Sequence, residues 1–180
     1  MHLLLANLSP SSQNLALLLA RLVLGVVFLA HGINHIIGGG KIAGTGRWFD
    51  SLGMRPGIVH AWFASLTEVG AGALLVLGLL TPVACAGVVG VMLVAWITNH
   101  RKNGFFIFRP GEGYEYVMTL TVFGVAIGTL GPGHWSIDGH VRVLRELWGW
   151  KGFAISLGAG AIGAALLLVT SWRPTKKVDA

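Results

Sequence analysis

The chain has 180 residues, of which 54% are hydrophobic and only 11% charged, with a mean hydropathy of +0.72 and a formal net charge of +6. That composition excludes an ordinary soluble domain and fits a polytopic membrane protein. The basic residues are divided among three loops with no folded domain behind them, so the charge reads as membrane asymmetry and attraction to anionic lipid, and a nucleic-acid role is set aside.

The first apolar run, residues 15–37, carries one charge, Arg21. It is longer than a usual signal core, has no basic stretch before it and lacks a small-residue cleavage site, so it reads as a retained helix. Residues 38–46 read as a flexible glycine-rich turn, and 47–54 as a short interfacial helix with Trp48, Phe49 and Leu52 as anchors. Gly38-Gly39-Gly40-Lys41 lacks both the glycine spacing and the terminal Ser/Thr of a phosphate-binding loop.

The second run, residues 61–80, has Glu68 at its middle, and an ionised carboxylate in hydrocarbon must be neutral, paired or functional. Thr81-Pro82 then makes a tight turn into a third run, 82–97, so the two helices are antiparallel neighbours. Cys85, the only cysteine, lies in this third run, and one thiol cannot cycle through an internal disulfide. A fourth run covers 114–130, with Glu115 at its mouth. Residues 138–150 put Val141, Leu144, Leu147 and Trp148 at helical spacing and predict an amphipathic helix on the outer surface, or one covering a partner. A fifth run, 152–172, is uncharged. Five runs predict an all-α membrane bundle of five transmembrane helices, the third and fourth helped by flanking residues.

Nine basic residues fall on one side: Lys41, Arg47, Arg55, Arg101, Lys102, Arg109, Arg173, Lys176 and Lys177. The other side has Arg142, Arg145 and Lys151, with Arg21 buried near it. The positive-inside rule places the N-terminus outside and the C-terminus in the cytoplasm. Small residues four apart, namely Ala86/Gly90, Gly124/Gly128, Ala159/Gly163 and Gly160/Ala164, allow close helix approach. The first two pairs suit packing inside the bundle. The fifth helix has no central polar group, so its two pairs suit docking of a partner or self-association.

Counting from the helix ends puts His31 and Glu68 at matching depth, roughly 10 Å inside the cytoplasmic mouth. Asn34 and His35 follow on the face of His31, and His100 and Glu115 stand at the mouth itself. Arg21 and Asp138 are left as a structural pair on the outer side. Three readings of the inner cluster stay open. Its groups tether helices by interhelical hydrogen bonds. Alternatively, imidazole and carboxylate exchange protons with a quinone or other small redox ligand, with Trp48, Trp62, Trp96 and Phe105 lining an apolar slot. Metal or haem ligation is the least supported: His31 and His35 are four apart, but no HExxH motif and no second such pair accompanies them, and no metal site is assigned.

These residues carry a resemblance. Arg21-Leu22-Val23-Leu24-Gly25 through Phe28-Leu29-Ala30-His31-Gly32, then Glu68-Val69-Gly70-Ala71-Gly72, Gly78-Leu79-Leu80-Thr81, Met92-Leu93-Val94-Ala95 with His100 and Gly104-Phe105-Phe106, Tyr114-Glu115-Tyr116 and Gly131-Pro132-Gly133-His134-Trp135-Ser136-Ile137-Asp138 are similar, in order, to motifs of the DoxX family of small membrane proteins. The resemblance covers about residues 19–140. Family members usually have four spans, which implies a DoxX-like core over 1–140 and an addition over 141–180: the outer amphipathic segment, the fifth helix and a cytoplasmic tail. The family often has lysine where this chain has His35. It is linked to a thiosulfate:quinone oxidoreductase subunit and to a membrane oxidoreductase complex. That implies a bacterial plasma-membrane subunit or accessory of a redox or respiratory assembly, with other membrane or membrane-associated redox proteins as partners; the cofactor stays open, a quinone-like ligand in the His/Glu cluster being one reading. It does not make this chain itself a catalyst. The alternative is a non-catalytic membrane scaffold that docks partner proteins.

Overall fold

The computed structural model describes residues 10–174. Among them no strand forms, and the helices are α1 (Pro10–Ile37), α2 (Lys41–Ser51), α3 (Gly57–Leu77), α4 (Thr81–His100), α5 (Glu115–Leu130), the single turns α6 (Ile137–His140) and α7 (Arg142–Arg145), and α8 (Trp150–Ser171). α4 ends in a π turn at Trp96–His100, and α8 contains another at Ala154–Ala159. Four helices, α1, α3, α4 and α8, are long and apolar enough to cross a membrane. α5 has 16 residues. At about 1.5 Å per residue it extends roughly 24 Å, short of a hydrocarbon core of about 30 Å. Four helices are thus long enough by themselves, and α5 is a shorter apolar helix.

Glycines set the tightest seam. A Cβ on Gly72 of α3 would lie 2.7 Å from the Gly25 carbonyl oxygen of α1, and one on Gly32 would lie 2.8 Å from that of Ser65. The two backbones therefore approach closely at Gly25 and Gly32, with Leu24, Phe28, Ala71 and Leu75 buried between them and α4. This seam uses glycines seven apart on α1, a spacing outside the four-residue pairs read from the sequence.

The glycine-rich stretch after α1 is a turn only at 38–40; α2 already begins at Lys41. Gly46 stays helical because α2 crosses the start of α3 closely: a Cβ on Gly57 would lie 2.1 Å from the Gly46 carbonyl oxygen. Thr45 Oγ1 also donates to the His35 carbonyl at 2.9 Å, tying α2 to the end of α1.

Nor do residues 138–150 form one amphipathic helix. Val141 is extended (φ −108°, ψ 109°) and separates α6 from α7. The segment is pinned at both ends: the Asp138 N–H donates to the Gly78 carbonyl at 2.9 Å and that of Gly149 to the Thr129 carbonyl at 2.7 Å. Between these points Trp148 packs over the bare α-carbon of Gly131.

The last helix is no peripheral addition. Gly160 and Ala164 are buried, and a Cβ on Gly160 would lie 2.8 Å from the Ala86 carbonyl oxygen, so this small-residue face is occupied by α4 of the same chain. At its far end the Trp172 indole donates to the Leu52 carbonyl at 3.0 Å, and the Arg173 N–H to that of Gly53 at 2.7 Å. The ends of α1, α4 and α8 and the starts of α3 and α5 thus meet at one end of the bundle. Lys176 and Lys177 lie outside the described residues.

At the opposite end Arg21 and Asp138 are 3% and 0% exposed, yet they form no direct ion pair. Arg21 instead donates to the carbonyls of Leu75, Val76 and Trp135. Asp138 accepts from the N–H groups of Leu80 (2.7 Å) and Thr81 (2.9 Å). A cation therefore closes the C-terminus of α3 and an anion the N-terminus of α4, each on the favourable pole of its helix dipole. Gly78, at φ +62°, makes the turn between them. Asp138→Ala would strand two buried donors and should lower stability by about 2 kcal/mol or more, with Asp138→Asn, which keeps one acceptor, losing less. Thermal melting in detergent checks this, and an unchanged midpoint for the alanine variant would refute the cap.

Candidate functional site: a buried carboxylate beside an apolar cavity

Glu68, 4% exposed, stands a little over halfway along α3, its Cβ against the bare α-carbon of Gly32. Its Oε2 lies 3.1 Å from Nδ1 of His35, an ion-pair distance, although neither atom has a well-aligned hydrogen bond. The structure therefore sets His35, rather than His31, against the carboxylate. Side chains tilt toward the N-terminus of their own helix, and α1 and α3 run antiparallel. At equal Cα depth the two heads diverge: Glu68 reaches toward the end of α1, where His35 sits, while His31 tilts away from it.

His31 is exposed on α1, with its ring 6.1 Å from that of Tyr116. It shares with Glu68 only a void of about 20 Å³, lined also by Phe28, Met92 and Tyr116. The remaining sequence candidates separate from Glu68. Asn34 is exposed on the last turn of α1. His100 donates from Nδ1 to the Glu112 carbonyl at 2.9 Å, and Glu115 Oε2 accepts from the Ile107 N–H at 3.1 Å, so both hold the 101–114 loop. Among the described residues no group of three or more His, Cys, Asp or Glu is placed to hold a metal ion.

On its other side Glu68 lines a cavity of about 460 Å³. α4 forms the back, α3 and α8 the flanks, and α2 with the Leu52–Trp172 knot one end. That volume lies in the range of about 300–1,000 Å³ that encloses a small ligand. Its walls are apolar or glycine, and its polar groups gather near the α2 end: His35, His60, Thr98 and Asn99 beside Glu68. His60 escaped the sequence reading. It is 6% exposed, donates from Nε2 to the Arg55 carbonyl at 3.3 Å, and has no partner for Nδ1. Its signal in the sequence is weak, because it lies just before the apolar run 61–80. Of the four aromatics expected around a ligand, only Trp48 lines this cavity. Trp62 is exposed on α3, and Trp96 and Phe105 pack on Tyr114 with centroids at 5.4 and 5.5 Å.

The site thus offers a buried carboxylate and two imidazoles at one end of an apolar space. It can hold a hydrogen-bonding head group out of water and pass it a proton.

Comparison with known proteins covers the helices that build most of this site. The DoxX family model matches residues 16–101, which span most of α1 through the end of α4 and contain His35, His60 and Glu68. An uncharacterized membrane protein of Mycobacterium tuberculosis is 29% identical over 127 residues, or 66% of this chain and 76% of that protein. No solved structure matches. The ordered motifs of α1, α3 and α4, the apolar helices that carry them and the match over 16–101 make this chain similar, over that segment, to the DoxX family of membrane proteins.

Proposed function

We propose that this DoxX-like protein binds a quinone-like, lipid-soluble ligand in the cavity, with His35, His60 and Glu68 meeting the head group, and serves as a subunit or accessory of a redox or respiratory membrane complex. One observation carries the reading: Glu68 is buried within the apolar helix α3, incompletely hydrogen-bonded, and faces an apolar cavity. A carboxylate that served only to join helices would gain nothing from such a space beside it. His35 supplies a second titratable group within 3.1 Å, as exchange of a proton with a quinone oxygen requires.

Five spans suit the chain path. α5 starts beside the end of α4, and α8 must start from the opposite end to bring Trp172 back to Leu52. The reading therefore places α5 across the bilayer, thinned locally or helped by flanking residues. The end rich in Lys41, Arg47, Arg55, Arg101, Lys102, Arg109 and Arg173 faces the cytoplasm of a bacterial plasma membrane, with the N-terminus outside. A reporter fused after Ala180 should read cytoplasmic and one at the N-terminus external; matching sides would refute the odd span count.

A scaffold with no ligand is the second reading, favoured by the Glu68–His35 contact, which also joins α1 to α3. Quinone binding to the purified protein separates the two. Glu68→Leu should weaken decylubiquinone binding by about tenfold or more, the usual worth of a hydrogen bond to a charged group, and Glu68→Gln by less. His35→Ala should weaken it comparably, whereas His31→Ala should stay within about twofold, because surface changes away from a site cost little. Equal binding by the native protein and all these variants would leave the scaffold reading standing.

A further inference from the structure

The cavity has a shape that its polar end does not explain. Its long axis follows α4 from Asn99 to Ala86, thirteen residues that at about 1.5 Å each cover roughly 20 Å. Beyond Glu68 the walls bear no charged side chain, and the floor is small: Gly87 and Gly90 on α4, Ala159 and Gly163 on α8. Gly160, by contrast, is buried against α4, where a Cβ would lie 2.8 Å from the Ala86 carbonyl oxygen. Gly163 differs in kind. A Cβ added there would meet nothing within 4 Å, so packing does not demand this glycine, and what it leaves open is the cavity itself.

The open side lies between α3 and α8. Phe63 and Leu166, 58% and 62% exposed, stand on its two rims, and both belong to helices long and apolar enough to span the membrane. An opening there faces hydrocarbon. At the inner end Glu68 and His60 are more than nine-tenths buried and keep polar atoms without an aligned hydrogen bond.

From these observations we infer that the cavity is a lateral slot for one hydrocarbon chain: an amphiphile with a single alkyl or isoprenoid tail enters from the bilayer between α3 and α8, lays its tail along the glycine floor, and presents its head to His60, Glu68 and His35, with Gly163 setting access. The inference rests on the ligand-binding reading for the nature of the site but names the class more narrowly, and it does not require a quinone. A slot of about 460 Å³ admits one chain and a small head; a two-chain phospholipid is too large to enter it. The tail is held by burial of apolar surface in a preformed space, and the head by buried groups that each keep a polar atom without an aligned hydrogen bond.

The full chain in phosphatidylcholine vesicles tests this with two photoreactive probes: decyl alcohol bearing a terminal diazirine, and phosphatidylcholine bearing the same group on one acyl chain. After photolysis, peptide mass spectrometry should find the alcohol on cavity-facing residues within 86–94 and 159–167. Gly163→Leu should reduce that labelling by about tenfold, the effect of excluding roughly two buried methylenes, and Gly163→Ala by a smaller factor. The alanine variant carries the test if the leucine variant does not fold. The phospholipid probe should mark only lipid-facing positions such as Ile162 and Val169. Equal labelling of the native protein and both variants, or equal labelling of cavity residues by the two probes, would overturn the slot. Decylubiquinone as competitor separates the two readings. Alcohol labelling in the slot that decylubiquinone fails to displace keeps the slot and overturns the quinone assignment; decylubiquinone binding without slot labelling overturns the slot alone.

Discussion

In hydrocarbon there is no water to satisfy a polar group, so each buried donor, acceptor or charge must find its partner within the protein. At one end of the bundle two buried charges meet that constraint through backbone groups. Arg21 and Asp138 each spend their charge on backbone, one on the carbonyls that end α3 and the other on the N–H groups that begin α4. The α3–α4 hairpin is thereby locked to α1 and to the 135–138 segment. A direct ion pair between the two would have left those helix ends open, which explains why two opposite charges buried so near each other do not meet.

Toward the other end the same constraint is met incompletely. Glu68, His35 and His60 are carried to depth by the fold, and each keeps an atom without an aligned hydrogen bond. An apolar cavity lies against all three. Unsatisfied buried groups are costly, and they concentrate where a ligand supplies the missing partner.

Close packing and open space are produced by the same residue type. Gly25, Gly32 and Gly72 bring α1 and α3 into backbone contact, and Gly160 does so for α8 on α4. Gly163, three residues along α8, has no neighbour at all where its side chain would be. α8 therefore both completes the bundle and walls the cavity. The site is assembled across the matched segment, 16–101, and a helix beyond it.

By itself the sequence determined the class of solvent, the all-helical fold and the depth of its one mid-span carboxylate, because length and hydropathy bear directly on crossing a bilayer. It also marked the α3–α4 hairpin, through Thr81-Pro82. Only the tertiary structure decided the partners. Cα depth counted along helices cannot show that side chains on antiparallel neighbours tilt oppositely, and so His35 rather than His31 meets Glu68. Spacing cannot tell whether a small-residue face meets a partner, its own bundle or a void, and α8 presents the last two. Helical periodicity over 138–150 was overruled where Asp138 and Gly149 bind other parts of the chain, since backbone bonds at both ends fix the path more strongly than an exposed amphipathic pattern does. The cavity was illegible for the same reason: it belongs to no stretch of sequence, only to the space left where five helices meet.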